Sequence, residues 1–227
     1  MLLVDDLMLQ LLDASGRTRA DATRTGLGLA GALMLDLALR GKVDVAQPGE
    51  RVKAGRLVVR DTTPTGDPLL DEALRTFAER EGRKPQDVLP KVAKGLKQRV
   101  LDRLVRLELV QHVEGRVLGV FPTHAYPRTF AHGSDATAEG IRAVVVTGHT
   151  PTEREAALIS LLQAVDRIPA VVGDVGLTKR ELRARAKAVA ASGFASEAVR
   201  KAIEAVDAAT TAAIAAAVAS TAATAGS

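Results

Sequence analysis

The chain has 227 residues and a net charge of +4, with no cysteine, no tryptophan, one tyrosine and four phenylalanines. The missing cysteines exclude disulfides, thiolate metal sites and cysteine nucleophiles, and they set the expectation of a reducing, cytosolic setting. Scarce aromatics leave Leu, Val and Ala to fill the core, which suits close helix packing better than an aromatic-lined pocket and predicts a mainly α fold.

At the amino terminus, Met1-Leu2-Leu3-Val4-Asp5-Asp6 places two acids where a secretory signal would carry bases and an unbroken apolar run, so no signal peptide is expected. Residues 2–13 read as an amphipathic helix closed by the turn Asp13-Ala14-Ser15-Gly16-Arg17, and Asp5-Asp6 decorate its positive start. Residues 24–40 read as a more apolar helix stopped by Gly41. Gly28 and Gly31 inside it cost roughly 1 kcal/mol each relative to Ala, which points to close approach by another helix or a ligand.

The period then changes to two, and residues 42–60 read as a small hairpin or flap. Thr65-Gly66-Asp67-Pro68 starts a helix that runs to about Glu81 and stops at Gly82. Residues 86–107 supply one or two helices rich in bases: Lys91, Lys94, Lys97, Arg99, Arg103 and Arg106. At helical spacing the three lysines follow one another at i,i+3, while Leu96, Val100, Leu104 and Leu107 form the apolar stripe.

A second β signal follows. Leu109–Val113 and Arg116–Phe121 flank Glu114-Gly115, which reads as a two-residue turn. The later strand is apolar on both faces, so either one face packs on the core and the other meets lipid or a partner, or both are buried, the more economical reading. The remainder reads as helices over 135–147, 151–165, 178–191 and 195–218, with Thr150 capping the second of these and Glu153 completing its capping box. Ala205 to Ala223 is a small-residue tract carrying Asp207, and it predicts a packed carboxyl-terminal helix, not a membrane span. The whole predicts one compact multi-helix domain over 1–218 with small β-hairpins, followed by a short disordered tail at 219–227.

Catalytic patterns are missing from the sequence. None of His112, His124, His132 and His149 stands at i,i+4 from another. Three of them surround the second hairpin, near Asp135, yet their spacing supplies no metal geometry. Ser15 and Ser134 lack a nucleophile elbow, and the glycines at 26, 28 and 31 precede no Walker lysine. The chain is therefore expected not to be an enzyme and to need no cofactor or metal.

Two runs carry a family likeness: Gly28 to Gly41, ending Leu37-Ala38-Leu39-Arg40-Gly41, and Pro64 to Leu74, containing Thr65-Gly66-Asp67-Pro68. With Leu7 to Asp13, the basic helix, the hairpin with Phe121 and the helical carboxyl half, the chain resembles the Golgi phosphoprotein 3 family over nearly its full length. The resemblance implies a helical fold with an exposed hydrophobic hairpin. It also implies a peripheral membrane adaptor, since eukaryotic relatives bind phosphatidylinositol 4-phosphate at the Golgi and retain glycosyltransferases. The headgroup pocket of those relatives uses a Trp, an Arg and two later bases. Matched through Leu-Ala-Leu-Arg-Gly, the Trp falls on Asp21 and the Arg on Ala30, both departures, and the later bases fall on Lys94 and Lys97. The Ala- and Arg-rich composition, without the long amino-terminal extension of eukaryotic relatives, suggests a prokaryotic member.

Loss of the aromatic and the Arg, with an acid gained, weakens a phosphate site built on that pattern. The expected contact is therefore general: Lys94 and Lys97, with Arg17, Arg19 or Arg24 as substitutes for the missing base, meet anionic phospholipid or phosphoinositide headgroups, and Leu118, Val120 and Phe121 insert shallowly. A cytoplasmic, peripherally membrane-associated protein is expected, with a protein client or self-association through the apolar hairpin as further partners. The alternative is a winged-helix nucleic-acid binder, with residues 96–107 as recognition helix and the hairpin as wing. An apolar wing bearing only Arg116 argues against it, and no nucleic acid is expected.

Overall fold

The computed structural model describes residues 1–18, 21–117, 121–129, 134–191 and 197–224. Helices α1 (Leu3–Leu11) and α2 (Ala22–Leu39) precede a hairpin of β1 (Val43–Val45) and β2 (Leu57–Val59). Then come α3 (Pro68–Ala78), α4 (Pro85–Ala93) and α5 (Leu96–Arg106), and a second hairpin of β3 (Val113–Val117) and β4 (Phe121–Ala125). The carboxyl half is α6 (Ser134–Thr147), α7 (Glu153–Ala164), the short α8 (Ile168–Val172), α9 (Lys179–Ala191) and α10 (Glu197–Thr224). Both sheets are two-stranded and antiparallel, so the fold is mainly α, as composition and periodicity predicted. Among the described residues no helix is long and apolar enough to cross a membrane.

Helix α2 is the axle of the fold. It is buried without a break from Leu27 to Ala38, as expected of a helix apolar on every side, and α1, α4, α7 and α10 pack around it. Its glycines are helix contacts. A Cβ at Gly28 would meet Val165 Cγ1 at 2.5 Å, and one at Gly31 would meet Val206 Cγ1 at 2.5 Å, so α7's end and α10 sit where side chains would otherwise stand.

Asp5 and Asp6 do more than decorate a helix start. Asp5 is fully buried, accepts the Leu2 N–H at 2.9 Å and pairs with Arg103 at 2.9 Å, which also reaches Asp67. Asp6 pairs with Arg154 at 2.5 Å. Asp36, buried on α2, accepts the Leu3 N–H at 2.7 Å and binds Arg40 at 3.1 Å. Burial pushes the Asp6 and Asp36 carboxyls up, against the pull of Arg154 and Arg40 respectively. These acids tie α1 to α2, α5 and α7.

Several predicted boundaries move. Asp67 caps α3 through the N–H groups of Leu69 and Leu70, with Pro68 at the start, as the Thr-Gly-Asp-Pro run predicted. The basic stretch is two helices: α4 ends at Ala93, and Gly95 adopts φ +67° before α5 begins, a left-handed position that glycine occupies without strain. Lys91, Lys94 and Lys97 therefore do not share one helical face. Leu107 leaves the apolar stripe at the end of α5 and is 47 % exposed, while Leu101 is buried in its stead. Helix α7 is capped by Thr152 with Glu155, not by Thr150 with Glu153. Glu155 accepts the Thr152 N–H at 2.8 Å, and its own N–H donates to the Thr152 hydroxyl.

The second hairpin departs most. Its register pairs Val113 with Ala125, Glu114 with His124 and Val117 with Phe121, so Glu114-Gly115 lie within β3 and are not the turn. An isolated bridge between Val110 and Arg128 prolongs the same register toward the body. Among the described residues, β3 and β4 pack on each other and make no extended contact with any helix, and Val113, Glu114 and Gly115 are exposed. The first residues of β3 are thus exposed, while the side chains of the strand expected to be buried, Val117 to Phe121, lie outside the described residues.

Candidate functional site

Where the α1–α2 connection meets the root of the second hairpin, local chemistry builds a concave surface. Asp13 organises the turn by accepting the Ser15 and Arg17 N–H groups at 2.8 and 3.1 Å. Gly16 follows at φ +74°, where a Cβ would overlap the backbone of Tyr126 and Pro127, and its carbonyl accepts the Tyr126 N–H at 2.8 Å. This stitch fixes Arg17 and Thr18 beside the strand exit. Asp21 then caps α2 by accepting the Arg24 N–H at 2.9 Å.

The result is a cavity of about 600 Å³. Arg17 and Thr18 come from the connection, Gly26 from α2, Ala93 and Gly95 from the α4–α5 junction, Lys97 and Gln98 from α5, and His124 and Tyr126 from the hairpin. Among the described residues no carboxylate lines it. Lys97 donates to the Thr18 hydroxyl at 2.6 Å, and Gln98 donates to Tyr126 Oη at 3.1 Å. No side chain caps the amino terminus of α5, which opens at the cavity through Gly95, so its positive dipole end adds to the Arg17 and Lys97 charges. A second cavity of about 530 Å³ shares the Ala22, Gly26 and Ala93 wall and carries Lys91 and Lys94, again without a lining carboxylate.

The predicted site residues separate accordingly. Arg17 and Lys97 line the first cavity and Lys94 the second, while Arg24 is half-buried and lines neither. Arg19, Leu118 and Val120 lie outside the described residues; Phe121 opens β4 opposite Val117. The two departures at the family-matched positions take structural roles. Asp21 lines neither cavity, and Ala30 is fully buried in the core one helical turn beyond Gly26. Arg99 and Arg103 of the basic cluster are committed elsewhere: Arg99 donates to the Lys94 carbonyl at 3.2 Å and pairs with Glu72, and Arg103 joins the buried acids.

The profile of the Golgi phosphoprotein 3 (GPP34) family matches residues 3–206, which takes in both runs singled out in the sequence, the two cavities and the second hairpin. The chain belongs to the Golgi phosphoprotein 3 family. Within this member, Lys94 and Lys97 sit on either side of the wall between the cavities.

Of the group at the hairpin root, the sequence singled out His112 and His124 but not Tyr126 or Glu114. His112 Nε2 lies 3.0 Å from His124 Nδ1, and the His112 ring stacks on Tyr126 at 5.0 Å. Glu114 completes this group at the hairpin root, where Asp135 had been the expected carboxylate. Only the true register, which sets Glu114 opposite His124, brings them together.

Proposed function

We propose that this protein is a non-enzymatic, peripheral binder of anionic lipid headgroups, with a phosphate held in the cavity between Arg17 and Lys97. One observation carries the reading: two bases and an uncapped helix amino terminus converge on a cavity that, among the described residues, no carboxylate lines. Lys91 and Lys94 in the adjoining cavity extend the positive surface. The hairpin supports the same orientation. His124 lines the cavity, and Phe121 lies three residues before it at the start of β4, about 10 Å away at strand rise. The headgroup layer on each side of a bilayer is about 6 Å deep, so this separation lets Phe121 reach past it while the cavity stays at headgroup level.

The winged-helix alternative fares worse. Helix α5 buries Leu96, Val100, Leu101 and Leu104 and packs on α1, α2 and α4, and two of its arginines are held in ion pairs. A recognition helix needs a free basic face.

Co-sedimentation with neutral, generally anionic and phosphatidylinositol 4-phosphate vesicles, at low and moderate salt, tests the proposal. Each base near an anionic surface contributes about 1 kcal/mol, so Arg17→Glu/Lys97→Glu should weaken binding by roughly 2–4 kcal/mol, about thirtyfold to a thousandfold. Selectivity for the phosphoinositide would assign the cavity as a headgroup pocket, and equal, salt-sensitive binding to all anionic vesicles would assign a general charge contact. Binding to neither, or binding that the double variant leaves unchanged, refutes the proposal.

A further inference from the structure

We propose that His112, Glu114 and His124 form a binding site for a divalent transition metal of the zinc class. The site rests on strand geometry. His112 and Glu114 are two residues apart on β3 and so share one face of the hairpin, and His124 is the direct cross-strand partner of Glu114. One ligand atom from each lies within 4.8 Å of the others, and all three residues are exposed and reachable from solvent. Among the described residues this is a cluster with mixed nitrogen and oxygen donors, the set that suits zinc, copper or nickel ions better than magnesium or calcium.

The distances are close to those a metal needs. Two imidazole nitrogens bound tetrahedrally to zinc at about 2.0–2.1 Å stand about 3.3 Å apart. His112 Nε2 and His124 Nδ1 stand 3.0 Å apart, so they need to open by only a few tenths of an ångström. Without metal one ring donates its N–H to the other's nitrogen; with metal both of these nitrogens turn their lone pairs to the ion, and the donor ring's proton moves, by way of solvent, to its second nitrogen, so that each imidazole stays neutral with one N–H. The rings are held ready. His112 stacks on Tyr126 at 5.0 Å, and Tyr126 is 7 % exposed and accepts a hydrogen bond from Gln98. Three protein ligands leave a fourth position for water or an anion. Because His124 also lines the cavity, the cation adds positive charge at its edge.

The test uses zinc and cobalt(II) salts alone, with no lipid, so its outcome is independent of headgroup binding. Isothermal titration of the full chain near neutral pH should give one zinc per chain. Cobalt(II) should give the visible absorption of a tetrahedral site. Both should vanish in His112→Gln/His124→Gln, weaken at least tenfold in Glu114→Gln, and persist in His149→Gln, which alters a histidine hydrogen-bonded to Thr147 instead. Zinc should also raise the melting temperature of the wild type but not of the double variant, and circular dichroism would verify that each variant is folded. No stoichiometric binding, or binding that survives in the folded double variant, overturns the proposal.

Discussion

Replacing Gly31 by Ala tests whether α2 is as tightly enclosed as its neighbours make it. The new Cβ would lie 2.5 Å from Val206 Cγ1, 3.1 Å from Val206 Cγ2 and 3.3 Å from Leu161 Cδ2. Both neighbours are buried, at 1 % and 0 % exposure. Valine on a helix has one strongly preferred rotamer, so its methyls do not swing aside and α10 must move off α2. Such overpacking costs about 1–3 kcal/mol, offset by about 1 kcal/mol of helix propensity gained over glycine. The net expectation is a loss of up to about 2 kcal/mol, read in urea unfolding followed by far-ultraviolet circular dichroism as a lower midpoint at unchanged slope. Gly26→Ala is the matched control, because its Cβ would meet Ala93 Cβ at an ordinary 3.5 Å, and it should be neutral or stabilising. Adding Val206→Ala to Gly31→Ala should recover stability beyond the sum of the single effects, by about 1 kcal/mol, since the obstructing methyls are gone. Stabilisation by Gly31→Ala alone, as at an exposed helical glycine, would refute the packing argument.

Three further outcomes are expected. Asp207 on α10 is pushed up to about 6 by burial, with Glu204 adding to the shift, so the neutral acid stabilises the fold below about pH 4 and that contribution is lost as pH climbs through 6. Asp207→Asn should therefore be more stable than wild type at about pH 7, by about 1 kcal/mol after allowance for solvent screening, and equal to it near pH 4; parallel pH–stability curves would contradict this. Asp5→Ala leaves the Leu2 N–H without its acceptor and Arg103 with Asp67 alone, and should cost about 3 kcal/mol in the same urea assay, so a change below about 0.5 kcal/mol would count against the buried pair. In vesicle binding, Lys97→Glu should be far more damaging than Arg24→Glu, which lies off both cavities, and equal effects would mean that net charge alone governs the contact.

Much of the fold is legible in the sequence because it depends on local rules. The 3.6-residue apolar period locates the main helices, Asp67-Pro68 starts α3 by capping chemistry, and the unbroken apolar run of α2 announces its central burial. The basic lysines were legible as residues but not as a surface, because one left-handed turn at Gly95 separates Lys91 and Lys94 from Lys97. The hairpin was legible as β structure but not in register: an Glu114-Gly115 turn is locally acceptable, and only the long-range pairing of Val110 with Arg128 and Val113 with Ala125 excludes it.

What the sequence by itself determined is the family, the mainly helical class and the residue types available for an anion site. Tertiary structure decided which of them meet. It buried Asp5 and Asp6 against arginines distant in the chain, closed α2's glycines with Val165 and Val206, and brought Arg17 and Lys97, far apart in sequence, to one cavity. Helix periodicity and caps act within a few residues, whereas a site is made by elements that find each other through packing, and a single-residue change of strand register is enough to gather or scatter it.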